Sequence, residues 1–161
     1  MHRTRIIRTL ASAAAIGTLA LAGAAVPASA SPTEDVLISG PTFDTHFGTN
    51  FSAGEAQDPG ELDWNDDGTD QKPQLNGVLY AQAASGVTAK VEMKIYDDAF
   101  HDTLISTKQR TLSGATGLGT LQVTDLGNVT CDCRHVHVIV SDNRSGSMQV
   151  VPGGDRFWTL P

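Results

Sequence analysis

The densest set of potential metal ligands is Asp63-Trp64-Asn65-Asp66-Asp67-Gly68-Thr69, where side-chain oxygens recur at alternate positions and a glycine follows where the loop must turn. Calcium takes roughly six to eight oxygens, and this spacing matches the first half of an EF-hand loop, with the Thr69 carbonyl as the next ligand. The second half departs from that pattern. Gln74 stands where a bidentate Glu closes the cage, and Pro73 opposes a following helix. Asp70, at a position that is usually apolar, is available as a substitute ligand in a non-helical loop. Asp63, Asn65, Asp67, Thr69 and Asp70 therefore form a candidate Ca2+ site. The alternative is a solvated acidic turn. Asp, Asn and Gly favour turns unaided, and Glu55, Asp58 and Glu61 extend the acidic run with no base among them.

Cys131 and Cys133 are the only cysteines, and in an oxidising compartment a bond between them is the default. Residues two apart in an extended strand lie nearly 7 Å apart, at the edge of disulfide reach, so the bond requires a local turn. So small a loop removes little chain entropy, so the bond either fixes a bend or is strained and redox-labile, with an intermolecular bridge or free thiols as the alternatives to it. Cys131, Cys133, His135 and His137 also recur at spacing two, and zinc and copper accept both ligand types. A straight strand separates Cys131 from His137 by about 20 Å, so at most His135 and His137 pair as an H-x-H site. The competing reading places both histidines on the solvent face of a strand whose valines point inward.

Nucleophilic catalysis has less support. Ser141-Asp142-Asn143 lacks the S-x-x-K and K-T-G partners of the β-lactamase set and reads as a turn. Gly114, Gly117 and Gly119 have no following lysine and read as a hairpin loop instead of a phosphate cradle. Asp97 and Asp98, adjacent on a strand, point to opposite faces and do not make a glycosidase pair. His101, Asp102, His135 and His137 are the acid/base candidates for an enzyme. Trp64, Tyr96 and Trp158 are the candidate ligand contacts for a binding protein, because flat rings stack on sugars and anchor protein interfaces.

These groups must be positioned by strands. Val87, Ala89, Val91, Met93 and Ile95 alternate with polar residues through Tyr96, and Val136, Val138 and Val140 do the same between His135 and Ser141. Leu75–Gln82, Thr103–Gln109, Leu118–Leu126 and Arg156–Leu160 are further strand candidates. Ser85-Gly86, Asp97-Asp98, Ser113-Gly114 and Asn143 to Gly146 are the turn signals between them. Nothing after the first thirty residues has a helical period. The expected fold is all-β: an antiparallel β-sandwich, Ig-like or jelly-roll-like, with a small β-barrel as the alternative. One-sided apolar strands imply two sheets packed together, each wet on one face. The segment 31–72 reads as an irregular acidic arm pinned by Phe43, Phe47 and Phe51, and 73–161 as the core of the same domain.

Residues 1–30 read as a secretory signal: Arg3, Arg5 and Arg8, an apolar run from Thr9 to Val26, and Ala28-Ser29-Ala30 as the cleavage site. Removing it leaves eight Lys and Arg against eighteen Asp and Glu, so the formal charge goes from −7 to −10. That charge disfavours nucleic acid and anionic membranes, and no later segment reaches the roughly 20 apolar residues of a membrane span. The expected location is extracellular.

From Lys72 through Asp98 the chain resembles a group of small uncharacterised secreted proteins from actinobacteria. The resemblance rests on Pro73-Gln74-Leu75-Asn76-Gly77-Val78-Leu79 ahead of a strand ending in Tyr96-Asp97. It implies a β-sandwich and no particular activity. The expected function is that of a secreted, non-enzymatic binder of an extracellular or cell-envelope polysaccharide or protein. The alternatives are an extracellular enzyme and a secreted inhibitor or toxin.

Overall fold

The structure is a computed structural model that describes residues 31–38, 45–48, 59–97 and 103–161. The signal, Phe43, Phe51, His101 and Asp102 lie outside the described residues. Among the described residues seven strands form one antiparallel sheet: β1 Thr33–Val36, β2 His46–Phe47, β3 Gly60–Asp63, β4 Gln74–Tyr96, β5 Leu104–Gly127, β6 His135–Asp142 and β7 Gln149–Thr159. The described residues contain no helix long and apolar enough to cross a membrane.

β4 is the spine. One of its edges pairs with β5 over most of its length. The other edge is taken in turn by β3 at Gln74–Asn76, β2 at Leu79 and Tyr80, and β6 at Ala89–Tyr96. β1 adds outside β3, and β7 outside β6. The arm is thus built into the sheet through its three short strands.

Two pairs of expected strands are in fact single strands. Leu75–Gln82 and Val87–Tyr96 are both parts of β4, and the Ser85-Gly86 turn signal falls on an exposed register shift between Ala83 and Val87. Thr103–Gln109 and Leu118–Leu126 are likewise joined in β5. Ser113-Gly114 and the Gly117–Gly119 stretch are therefore neither a turn nor a hairpin loop. Gly114 and Gly117 both adopt φ of 64°, which glycine reaches without strain, and extra residues at such points make bulges within a strand. The turn after Asp142 is as expected, with Gly146 N–H donating to the Asn143 carbonyl at 2.8 Å.

These shifts keep one face apolar. The buried residues of β4 (Leu75, Leu79, Ala81, Val87, Ala89, Val91, Met93 and Ile95) are all odd-numbered. Opposite them on β5 stand Leu126, Val123, Leu121, Ala115 and Leu112, whose parity changes twice, each time at a register shift. Without the shifts, period-two alternation would turn half of these side chains outward.

The same hairpin folds back on itself. Gly127 pairs with Gln74, yet a Cβ on Gly127 would lie 2.8 Å from Met93 Sδ. Gln74 and Met93 are nineteen positions apart, about 60 Å along a straight strand. The sheet therefore curls into a half-barrel, an all-β architecture that the barrel-like alternative fits. One buried cluster joins both arms of the hairpin, from Val36, Phe47, Leu62 and Leu75 to Met93, Ile95, Val136 and Val138.

Phe47, the described member of the aromatic arm, is fully buried in this cluster. It lies so close to the β3 backbone that a Cβ on Gly60 would sit 2.6 Å from its Cε1. Gly60→Ala is expected to cost about 1–3 kcal/mol by overpacking, and Phe47→Ala about 3–5 kcal/mol by leaving a cavity. Because the second change removes what the first collides with, the double variant should lose less than the sum, as read by urea unfolding. Strict additivity would contradict this packing.

Candidate functional site

β6 is the strand where packing and polar chemistry meet. Its valines face the core as expected, but His135 (5% exposed), His137 (9%) and Ser141 (5%) are buried too, which corrects the expectation of a solvated histidine face. The reason is position. β6 lies between β4 and β7, and the neighbouring side chains on its outward face close over it.

Register places three rows across this face: Tyr96, His135 and Thr159; Lys94, His137 and Phe157; and Glu92, Ile139 and Asp155. Thr159 Oγ1 is hydrogen-bonded to His135 Nδ1 at 2.9 Å. His137 Nε2 pairs diagonally with Asp155 Oδ1, while its ring stacks on Phe157 with centroids 3.8 Å apart and planes 16° from parallel. Phe157 is 49% exposed, and one side of its ring lies on the histidine. Glu92 completes the face between Lys90 Nζ at 3.1 Å and Lys94 Nζ at 3.5 Å. β7 thus supplies a partner to each histidine, and the H-x-H pair is divided between Thr159 and Asp155.

Of the three candidate contact aromatics, only Tyr96 lies on this face, half-buried at its end. Trp64 is fully buried in the core, its Nε1 donating to Glu34 Oε1 at 3.3 Å, which removes it as a stacking platform. Trp158 pairs with Val136 and packs against the core from the inward side. Phe157 is the ring that sequence reasoning missed. The phase of β7 held the signal, since Trp158 and Leu160 fall on one parity and Asp155, Phe157 and Thr159 on the other.

The acidic loop follows β3 and is organised by its own carboxylates. Asp63 Oδ1 accepts from Asn65 N–H at 3.0 Å, Asp66 Oδ1 from Gly68 N–H at 2.9 Å, and Asp67 Oδ1 from Thr69 and Asp70 N–H, both at 2.9 Å. Asn65 Nδ2 donates to the Lys72 carbonyl at 3.1 Å. Among the described residues no three His, Cys, Asp or Glu side chains are grouped so as to hold a metal.

Gln71 joins this loop to the cysteines. Its backbone exchanges both hydrogen bonds with Cys131, its Oε1 accepts from Cys133 N–H at 3.0 Å, and its Nε2 donates to Asp66 Oδ1 at 3.1 Å. Cys131 and Cys133 are disulfide-bonded, with Cα atoms 5.2 Å apart, closer than an extended strand allows. The required bend is therefore present, and Gln71 is fastened into it.

Ser141-Asp142-Asn143 fastens a turn. The buried Asp142 carboxylate accepts from Thr45 Oγ1 at 2.7 Å and from Arg144 N–H at 3.1 Å, and Asn143 exchanges bonds with Thr88. Comparison with protein-family models, curated proteins and solved structures finds no match for this chain. The class that fold and site define is accordingly a physical one: a curled antiparallel sheet with a stacked histidine, a half-exposed aromatic ring and a charged ladder on its outer face.

Two carboxyls are held below their ordinary values. Burial raises the pKa of Glu92, but the Lys90 hydrogen bond and the charges of Lys90 and Lys94 outweigh it, leaving the group below 4.5. The backbone N–H groups of Asp70 and Thr69 hold Asp67 below 3.8. A carboxyl depressed in the folded state stabilises above its unfolded value, and that contribution is lost as pH falls through the folded value. The melting temperature should therefore fall on acidification from about pH 5 to about pH 3. Glu92→Gln should cost up to about 1 kcal/mol at neutral pH and flatten that decline. An unchanged acid slope in this variant would count against the ladder.

Proposed function

We propose that this chain is an exported, non-enzymatic binding protein whose outer β4–β6–β7 face takes an extracellular or cell-envelope polysaccharide. The observation that carries the reading is Phe157, a half-exposed ring backed by a buried histidine that a carboxylate holds in place. A ring fixed in this way stacks on the C–H face of a sugar at little cost in side-chain entropy. Thr159 lies beside it on β7 and Lys94 in the same row on β4, with Glu92 next along β4, to exchange hydrogen bonds with hydroxyl groups. In this reading the two arms of the folded hairpin serve as the two packed layers of a small sandwich and keep the face rigid. Residues 1–30 are the export signal. Calcium on the 63–70 loop is not needed.

One observation favours a second reading, because His137 and Asp155 form a pair of the kind that moves protons in enzymes. Against it, each histidine is buried beneath the outer face with its own β7 partner, whereas catalysis favours convergent groups in a concave site. Retention on insoluble cell-wall polysaccharide separates the two. Phe157→Ala should reduce retention about tenfold, the loss of a stacking contact of ~1.4 kcal/mol, with little change in melting temperature. Equal retention by this variant would contradict the binding reading. Release of soluble sugar that stops in Asp155→Asn would replace it with the enzymatic one.

A further inference from the structure

The inward face of β5 is apolar at Leu126, Val123, Ala115 and Leu112, and then becomes cationic. Arg110 and Lys108 occupy the inward positions opposite Val91 and Met93, both fully buried on β4. Register puts these two cations where a core side chain would stand, yet both remain exposed. They do so because the half-barrel is open there. A cavity of about 280 Å³ lies along the seam, lined by Lys108, Arg110, Asp125, Leu126 and Gly127. The two ends of β5, which the curl brings together, are its walls.

The charges around this cavity lack partners. Lys90, Lys94, Arg134 and Arg144 each have a carboxylate within ion-pair distance, whereas Lys72, Lys108, Arg110 and Arg156 have none among the described residues, and of these four Lys108 and Arg110 line the cavity. Arg110 Nη1 makes one local bond, to the Gln109 carbonyl at 3.2 Å. In a chain with eighteen acidic residues, two unpaired bases converging on one cavity are not explained by charge balance. Asp125, on the other wall, sits in the left-handed region at φ of 50° within the register shift between Val123 and Leu126, its N–H donating to Asn76 Oδ1. Bulges often serve to re-aim a side chain in this way.

From this arrangement we propose that the seam binds a compact organic anion, its carboxylate or phosphate on Lys108 and Arg110 and a neighbouring hydroxyl or ammonium on Asp125. A bare oxyanion satisfies the two bases but is repelled by Asp125, while a unit carrying both groups satisfies all three. Leu126 and Gly127 complete the lining of the cavity. The volume suits a single sugar or amino-acid unit, at the small end of ligand cavities, and mouths of barrels are frequent ligand sites. The chain's overall negative charge repels anions at long range, so binding rests on these short-range contacts and weakens as salt rises. The inference does not depend on the Phe157 face.

The test is an amide NMR titration of the full chain with inorganic phosphate, glucosamine 6-phosphate and galacturonate. Saturable shifts at Lys108, Arg110 and residues 125–127 are expected, largest for glucosamine 6-phosphate if phosphate is the anion and for galacturonate if carboxylate is. Lys108→Ala and Arg110→Ala should each weaken binding by about tenfold, the value of a charge-assisted contact. Asp125→Asn should weaken glucosamine 6-phosphate and tighten inorganic phosphate, an opposite pair of effects that loss of fold cannot produce. Phe157→Ala should leave all three unchanged, which separates this site from the polysaccharide face. No saturable shift at millimolar ligand, or shifts that persist in both alanine variants, would overturn the proposal.

Discussion

A two-stranded ribbon of 23 and 24 residues that must bury one face against itself is the constraint on which the rest of the molecule depends. A straight ribbon of that length is marginal in water, because its apolar face has nothing to cover it. Folding the ribbon in half brings Leu75, Leu79 and Leu126 against Val91, Met93 and Ile95 and creates the core. The bend lies where Ser85, Gly86, Gly114 and Gly117 interrupt the ladder, and the register shifts return the apolar residues of β5 to the inward side. Each shift forgoes a few hydrogen bonds, which is a small loss beside the area that the curl removes from water.

Both surfaces with chemical potential follow from that fold-back. On the outside, β4 offers an edge between Ala89 and Tyr96 to β6, which in turn carries β7, and this order builds the rows containing His135, His137, Phe157 and Asp155. On the inside, the curl stops short of closure, and the inward positions of β5 beyond Leu112 line an open seam, where cations replace apolar side chains. The acidic loop and the cysteine bend are tied in separately through Gln71, whose backbone and amide bond to both segments. Removing the Gln71 amide would leave the buried Cys133 N–H without its partner, the expensive kind of hydrogen-bond loss.

Much of the secondary structure was legible in the sequence, and the failures have identifiable causes. Alternation from Val87 to Tyr96 gave both strand and buried face, and His135 to Ser141 gave the strand and its inward valines but not the burial of its outward side chains. Period two reports the phase of a strand but not how many neighbours flank it, so burial of the outward histidines was invisible until β4 and β7 stood on either side. Ser-Gly pairs were read as turns because turns and bulges call on the same backbone freedom, and only pairing over the full length distinguishes them. Trp158 was among the candidate rings and Phe157 was not, although the phase of β7 turns Phe157 outward and Trp158 inward. The bend between Cys131 and Cys133 could be argued beforehand, since bond geometry alone excludes an extended strand there.

The fold-back is tested most directly by one contact. Met93 and Gly127 would be about 60 Å apart in a straight ribbon, since Gly127 pairs at the far end of β4 from Met93. In the curled sheet the Met93 methyl carbon lies 3.1 Å from where a Gly127 Cβ would stand. A nuclear Overhauser cross-peak between the Met93 ε-methyl and the Gly127 α-protons is the result this account predicts. Its absence, in a spectrum that still shows the in-register contacts of β4 with β5, would contradict the curl and with it the core, the seam and the outer face.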